Sequence, residues 1–310
     1  MPLQISYRPS SSSPTYNLIF FITGNPGLIS YYEPFLSTLH AHLSSSNTPH
    51  YHIFGQSLAG FETHDDIAED PSIPQKLRAN RILSRLSRLT PPPSALLSGI
   101  LLFPTLTHIS QSPSGLKLSP LVSLPNFPLL ASSVAKGLLY LSPNPLLDFL
   151  IPKVTGMPAP AAKVTRDFLR SRQGVQQALY LAKDEMVTIG EDRWSGEIWG
   201  VENLGTESVG TETEIEGEGE EKKKKTPRLV FYFGSNDHWV AEHTRDALIA
   251  ARGRNGVAVN PESVSFSGEA GNKPVMMIDE EGIDHSFCVH SSEPMAEKVS
   301  RWVKEIVKNV

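Results

Sequence analysis

The run Leu18-Ile19-Phe20-Phe21-Ile22-Thr23-Gly24-Asn25-Pro26-Gly27 decides the fold class. Five consecutive apolar residues followed by turn formers are the pattern of a strand buried on both faces, as in parallel sheets. Working outward, Tyr31 to Leu43 sets Phe35, Leu39 and Leu43 at helical spacing. Tyr51 to Phe54 forms a second short apolar run, ended by Gly55. The pattern returns at Gly99-Ile100-Leu101-Leu102-Phe103, at Leu229-Val230-Phe231-Tyr232-Phe233 and at Val275-Met276-Met277-Ile278. Pro294 to Val307 puts Met295, Val299, Trp302, Val303 and Ile306 on one helical face. Strands alternating with helices predict an α/β fold with a mostly parallel sheet and crossover helices.

The intervening segments differ in character. Phe61 to Pro93 holds no apolar run fit for a central strand; it predicts only a helix over Ile82, Leu86 and Leu89, closed by Pro91 to Pro93. Leu106 to Met186 is helical in pattern and rich in Leu and Pro, and Leu116 to Ile151 carries only Lys117, Lys136 and Asp148 as charges. Gly200 to Thr226 alternates Glu212, Glu214, Glu216, Glu218 and Glu220 with small or apolar residues, then runs into Lys222 to Lys225. Such composition predicts a disordered insertion, and its glutamates a solvated stretch rather than a metal site. The expected organisation is a core in two parts, 1–105 and 227–310, separated by a helical, apolar lid at 106–199 and the insertion at 200–226.

A chain of 310 residues with 39% hydrophobic content can bury a sizeable core, as one large α/β domain with insertions or two small ones. A net charge of −5 gives no electrostatic footprint for nucleic acid. The single cysteine, Cys288, excludes an internal disulfide framework and a multi-cysteine metal site, and suits a reducing compartment. Met1 to Pro14 lacks the apolar core of a secretory signal. Leu118 to Ala135 is uncharged but broken by Pro120, Pro125 and Pro128, so no transmembrane span is expected.

Ligands of open parallel sheets gather at the carboxyl ends of strands. Three candidates sit there. Gly24-Asn25-Pro26-Gly27 is either a plain turn or a loop whose backbone N–H groups hold a developing oxyanion. Asp237 follows the strand ending at Phe233, and His285 follows the one ending at Ile278. Alone, Asp237 could cap a helix and His285 could be a surface residue; together they have the order of the last two members of a Ser…Asp…His triad. The nucleophile is missing from this pattern, because no G-x-S-x-G occurs in the sequence. Gly55-Gln56-Ser57-Leu58-Ala59-Gly60 has its second glycine one residue late, and Ser57 follows the wrong strand. Cys288 lies on the histidine's own loop and is no better a nucleophile.

Several strings together resemble the lipid-droplet-associated hydrolase family, an α/β-hydrolase branch linked to esterase or lipase-like chemistry on neutral lipids. They are Gly24-Asn25-Pro26-Gly27 with Tyr31, Tyr32 and Phe35; Leu101-Leu102-Phe103-Pro104-Thr105 with Ser112-Pro113-Ser114-Gly115; Phe231-Tyr232-Phe233-Gly234 with Asp237 and Trp239; and Asp284-His285-Ser286-Phe287. The resemblance implies Asp237 as acid, His285 as base, and Asn25 with Gly24 as the oxyanion hole. It implies a lipid ester as substrate, the cytoplasmic side of the lipid-droplet surface and the endoplasmic reticulum as locations, and no metal or cofactor. The apolar lid then becomes a lipid-contacting surface carrying Leu138, Leu139 and Leu141, or an ordinary cap over the site.

Two departures stand out. Thr23 occupies a position where proline or histidine is common. The family's central strand and glycine-flanked serine should lie between the second strand and Gly99, yet only 38 residues separate Gly60 from Gly99. By the resemblance, the join near Pro74 to Asn80 is where a segment is expected to be absent. Three expectations follow: an esterase, a non-catalytic lipid-surface or scaffold protein, or a chain that lacks one coding segment.

Overall fold

The computed structural model describes residues 4–9, 16–45, 49–58, 61, 97–196, 198–200, 228–264, 266 and 273–309. The expected helix over 82–89, the join at 74–80 and the low-complexity stretch at 201–226 lie outside them. The described elements are β1 (Gln4–Tyr7), β2 (Asn17–Ile22), α1 (Glu33–Ser44), β3 (Tyr51–Gln56), β4 (Ser98–Leu102) and then α2 (Pro113–Val122). There follow α3 (Phe127–Leu141), α4 (Asn144–Thr155), α5 (Ala159–Arg170), α6 (Gly174–Thr188), β5 (Arg228–Phe233), α7 (Glu242–Arg252), β6 (Val275–Ile278), α8 (Phe287–His290) and α9 (Ser292–Lys308). All five apolar runs form strands. The fold is an α/β arrangement.

The strands form two sheets of three, ordered β1-β3-β2 and β4-β5-β6. In the first, β2 and β3 are parallel, with Asn17 opposite Tyr51 and Ile22 opposite Gln56, and β1 adds antiparallel to β3. In the second all pairs are parallel, with Ser98 opposite Arg228 and Val230 opposite Val275. The central strand β5 behaves as its apolar run demands: Val230, Phe231, Tyr232 and Phe233 are each no more than 1% exposed. Strands β2 and β4 do not. Every residue of β4 is half-buried, as are residues 17–21 of β2, and Ile22 is 51% exposed. Their sequences call for burial on both faces, but each is the outer strand of its sheet.

One core nevertheless joins the two sheets. It unites Ile29, Phe35, Leu36 and Leu39 of the first half with Phe103, Tyr232, Phe287 and Trp302 of the second, and Ile19, Phe21, Ile100 and Leu102 pack against it. Helix α1 lies along α9. A chain of rings crosses the junction: Phe21 to Phe35 at 5.8 Å, Phe35 to Phe287 at 5.2 Å, and Phe287 to Phe103 at 5.6 Å. Edge-to-face and offset pairs of this kind add about 0.5–1.5 kcal/mol each beyond area burial. Among the described residues, cohesion between the sheets rests on side chains rather than on backbone ladders.

Helices α2 to α6 occupy the connection between β4 and β5. The excursion begins and ends at one neck, where the His108 and Ile109 N–H groups donate to the Gly190 and Ile189 carbonyls at 2.9 and 3.2 Å. Ser112, fully buried, opens α2 by accepting from the Gly115 N–H at 2.9 Å and donating to the Ile109 carbonyl at 2.7 Å. Gly115 is obligatory here, since a Cβ would sit 2.0 Å from the Ile109 carbonyl oxygen. On α3, Leu130, Val134, Leu138 and Leu141 fall on one helical stripe and are 56–80% exposed, next to Tyr140 at 89%. Leu139 does not share this face: it is half-buried and packs against the cluster of Leu147, Ile151 and Ala162. The expected lipid-facing trio is therefore split: Leu138 and Leu141, three apart, share a face, whereas Leu139 is turned from Leu138 by about 100°. Among the described residues no single helix is long and apolar enough to cross a membrane; α2 and α3 pass that test only as a pair bent by 94°.

Candidate active site

Three strand ends bring the candidate residues together. After β5, Gly234 turns the chain so that Asp237 folds back with its side chain 1% exposed. One Asp237 oxygen accepts the Trp239 N–H at 2.8 Å, and the other meets His285 Nδ1 at 2.8 Å. After β6, Gly282 takes a positive φ of 75°, which glycine alone tolerates without cost, and directs the loop toward Asp237. His285 thus has its Nδ1 side tied to a buried carboxylate while its side chain stays 29% exposed. With the acid ionised, Nδ1 carries the proton and Nε2 is left as the base. The Asp237 and His285 side chains are brought into direct contact from 48 residues apart.

The ring of His285 stands edge-on to Phe103 at 6.3 Å and to His238 at 6.1 Å. Phe103 holds a left-handed backbone, φ 48°, at the end of β4. A bulky side chain pays for that conformation, and here a 2.7 Å bond from its N–H to the Tyr232 carbonyl and close ring packing hold it in place. The acid loop is also tied to the cap, since the Ser114 N–H donates to the His238 carbonyl at 2.9 Å.

The loop after β2 is more than a plain turn. Gly27 is closed in, as a Cβ there would lie 2.4 Å from Leu58, whereas Gly24 faces open space. The Asn25 amide reaches the cap helix α6, donating to the Ala178 carbonyl at 3.3 Å and to Glu185 Oε2 at 3.4 Å. Burial pushes the Tyr32 hydroxyl well above its ordinary range, assisted by the nearby Cys288 thiol and opposed by a hydrogen bond with the Gly24 backbone. Cys288 is pushed up to about 12 by burial, so it holds its proton and is no thiolate nucleophile.

Ser57 is engaged in holding the segment after β2. Its buried hydroxyl accepts the Ile29 N–H at 3.1 Å and so serves the turn that starts the helix region after β2. Among the described residues the His285 ring has one hydrogen-bonded partner, Asp237, and no serine hydroxyl. Glu185 is a site residue that sequence reasoning missed. Burial raises its carboxyl to about 7, with Asp184 adding to the rise and the Asn25 amide and His285 opposing it. Nothing in its local sequence marks it, because its meaning comes from where α6 docks.

Sheet order, strand-end loops and an Asp–His pair beneath a helical cap define the class of protein as an α/β-hydrolase. Residues 15–80 and 78–288 match the lipid-droplet associated hydrolase family, and the chain belongs to that family. The fold is similar to that of juvenile hormone epoxide hydrolase from the silkworm Bombyx mori. That likeness has a TM-score of 0.51 at 10% identity, over 98% of this chain and 73% of the other. The enol-lactonase from Burkholderia xenovorans LB400 has a TM-score of 0.47 at 9% identity, over 97% of this chain and 96% of the other. No curated protein matches this chain in sequence.

Proposed function

We propose that this chain is built for hydrolysis of lipid carboxylic esters by a Ser-Asp-His mechanism at a lipid-droplet surface. The 2.8 Å contact between His285 Nδ1 and the buried Asp237 carboxylate carries this reading. In such a site a serine hydroxyl attacks the ester carbonyl carbon as its proton passes to His285 Nε2, and Asp237 stabilises the imidazolium. The tetrahedral oxyanion would rest on the Asn25 backbone N–H. Its collapse sends the proton from His285 to the departing alcohol, and water then repeats the sequence to free the acid. No metal or cofactor takes part.

The cap stripe of Leu130, Val134, Leu138 and Leu141 supports lipid contact, since Lys136 is the one charged side chain on α3. Fully burying one such side chain in an apolar phase gains about 1.5–3 kcal/mol, so four make a substantial anchor. The surface in question is the cytoplasmic face of the droplet, with the endoplasmic reticulum as the related membrane.

A second reading is a non-catalytic lipid-surface protein, favoured by the absence of G-x-S-x-G from the sequence. One experiment separates the two. The purified chain and its His285→Ala variant are given a chromogenic short-chain ester, a fluorophosphonate probe and triolein droplets. Serine labelling and turnover that vanish in the variant establish the hydrolase. Droplet binding without either leaves the second reading.

A further inference from the structure

We propose that Asp279 is the positioning residue of the His285–Asp237 pair: its buried carboxylate fastens the loop of His285 to β5, whose end leads into Asp237. The proposal deepens the hydrolase reading, on which its catalytic meaning rests; the clamp itself rests on hydrogen bonds.

Asp279 directly follows β6 and is 1% exposed. A carboxylate so deeply buried is costly unless donors meet its oxygens. Here each oxygen has one: Oδ1 accepts the Tyr232 hydroxyl at 2.5 Å, and Oδ2 accepts the Ile283 N–H at 2.7 Å. The Asp279 N–H in turn donates to the Phe233 carbonyl at 2.7 Å. One residue therefore reaches β5 twice and the histidine loop once. In the sequence, Asp279-Glu280-Glu281 reads as a solvated acidic run. Strand alternation turns Asp279 inward, because it follows Met277 by two residues and Met277 shares a core cluster with Tyr232.

The bond to Ile283 closes the loop just where Gly282, at a φ of 75°, redirects the chain. Only Asp284 then separates the fixed Ile283 from His285. The place where Ile283 is held thus decides where the imidazole lies. A shift of about 1 Å would carry the 2.8 Å contact between His285 Nδ1 and Asp237 beyond hydrogen-bond range. Misplacement of that size at a catalytic group costs about 100-fold in rate.

The far end of the clamp is rigid. Tyr232 is fully buried, edge-on to Phe103 at 5.5 Å and tilted against Trp302 at 5.2 Å. Burial, and next the bond to Asp279, push its hydroxyl well above the ordinary range, so it stays a donor. Phe103 itself stands edge-on to His285, so Tyr232 supports both the loop and a wall of the imidazole. The loop has a second tether, since Lys298 Nζ donates to Glu281 Oε1 at 2.7 Å. The Glu281 side chain is 54% exposed, and water screens a pair of that kind, whereas bonds to a buried charged acceptor are worth more. Asp279 is the tether that matters.

The test reads the tautomer of His285 in the full chain carrying isotopically labelled histidine, with His285→Ala identifying its signals among the ten histidines. At about pH 8.5, above the ordinary histidine range, ring-nitrogen shifts report which nitrogen carries the proton. In the wild type the Nδ1–H form should be at least about 90% populated, and Asp279→Ala should bring it to about half or less. Asp279→Asn, which still offers an oxygen to the Ile283 N–H, should restore most of it, and Glu281→Gln should leave it unchanged. A folded Asp279→Ala with the wild-type population, whatever its loss of Tm, would make Asp279 merely structural and overturn the proposal. A wild type without the dominant Nδ1–H form would overturn it too, as would an asparagine variant that behaves like alanine or a Glu281→Gln that shifts the population as far. If the alanine variant does not fold, Asp279→Leu, which fills the space without an acceptor, is read by the same criterion. Fluorophosphonate labelling is followed separately. Labelling that slows about 100-fold in Asp279→Ala and returns in Asp279→Asn supports both the clamp and the hydrolase reading. The expected tautomer changes with no labelling of the wild type keep the clamp and refute ester hydrolysis.

Discussion

Phe287→Ala should cost this protein more than any ordinary core truncation of its size, because Phe287 joins two sheets that share no backbone ladder among the described residues. Its ring is 5% exposed and contacts Phe35 at 5.2 Å, Phe103 at 5.6 Å and Tyr32 at 5.9 Å. Truncating a buried phenylalanine to alanine removes about 3–5 kcal/mol through lost transfer energy and the cavity left behind. Three lost ring pairs place the expected value in the upper part of that range. Against a total stability of about 5–15 kcal/mol, this consumes much of the margin. Urea unfolding followed by tryptophan fluorescence and by far-ultraviolet circular dichroism is the measurement. Trp302, buried against Tyr232 at 5.2 Å, reports the second half, while circular dichroism reports both. The wild type should unfold with coincident transitions. The alanine variant should lose about 4 kcal/mol and show the two probes parting, and Phe287→Leu should lose about 1–2 kcal/mol. A loss under about 1.5 kcal/mol for Phe287→Ala, with the probes still coincident, would refute the idea that this seam holds the halves together.

Other consequences can be checked directly. Because the Glu185 carboxyl sits at about 7 in the folded protein and near 4.5 when unfolded, the native state holds the extra proton between those values. Stability is therefore full below about pH 4.5 and declines as pH rises through about 7; Glu185→Gln should flatten the fall of Tm across that window, and an unchanged slope would exclude the effect. Ser112→Ala should lower stability by about 1–2 kcal/mol through loss of the α2 cap, measured by urea unfolding, while Ser112→Thr, which keeps the hydroxyl, should recover part of it. Leu138→Asp combined with Leu141→Asp should leave Tm within about 1 kcal/mol equivalent of wild type, since both are exposed, yet reduce flotation with triolein droplets at least about 10-fold.

Much of the fold was legible because parallel strands announce themselves as uninterrupted apolar runs. Leu18 to Ile22, Leu229 to Phe233 and Val275 to Ile278 needed only that rule. Strand β1 was missed, since Gln4–Tyr7 is four residues long and only Ile5 is buried. The individual cap helices were also illegible: proline sits at the start of several of them, where it favours a helix, and Pro120 and Pro152 lie inside helices that packing maintains. At the site, Asp237 and His285 stood out by order along the chain. Glu185, Phe103 and Tyr32 did not, because each acquires its surroundings from a distant element. Leu139 shows the limit of reading a helix by composition: apolar content located the face region, but only the phase of α3 against α4 and α5 tells which leucine turns inward.

The neck at His108–Ile109 and Ile189–Gly190 has a consequence for how such a protein can change over time. Two adjacent backbone bonds carry the chain out of the core and bring it back to the same spot. Everything beyond that point can lengthen, shorten or exchange its outer surface without asking the catalytic loops to move, as with a tool head on a fixed handle. The contacts that return inward, among them Asn25 to α6, Tyr31 to Thr165, Leu28 and Leu58 to Leu181, and Ser114 to the acid loop, must be kept for a grafted cap to close over the same site.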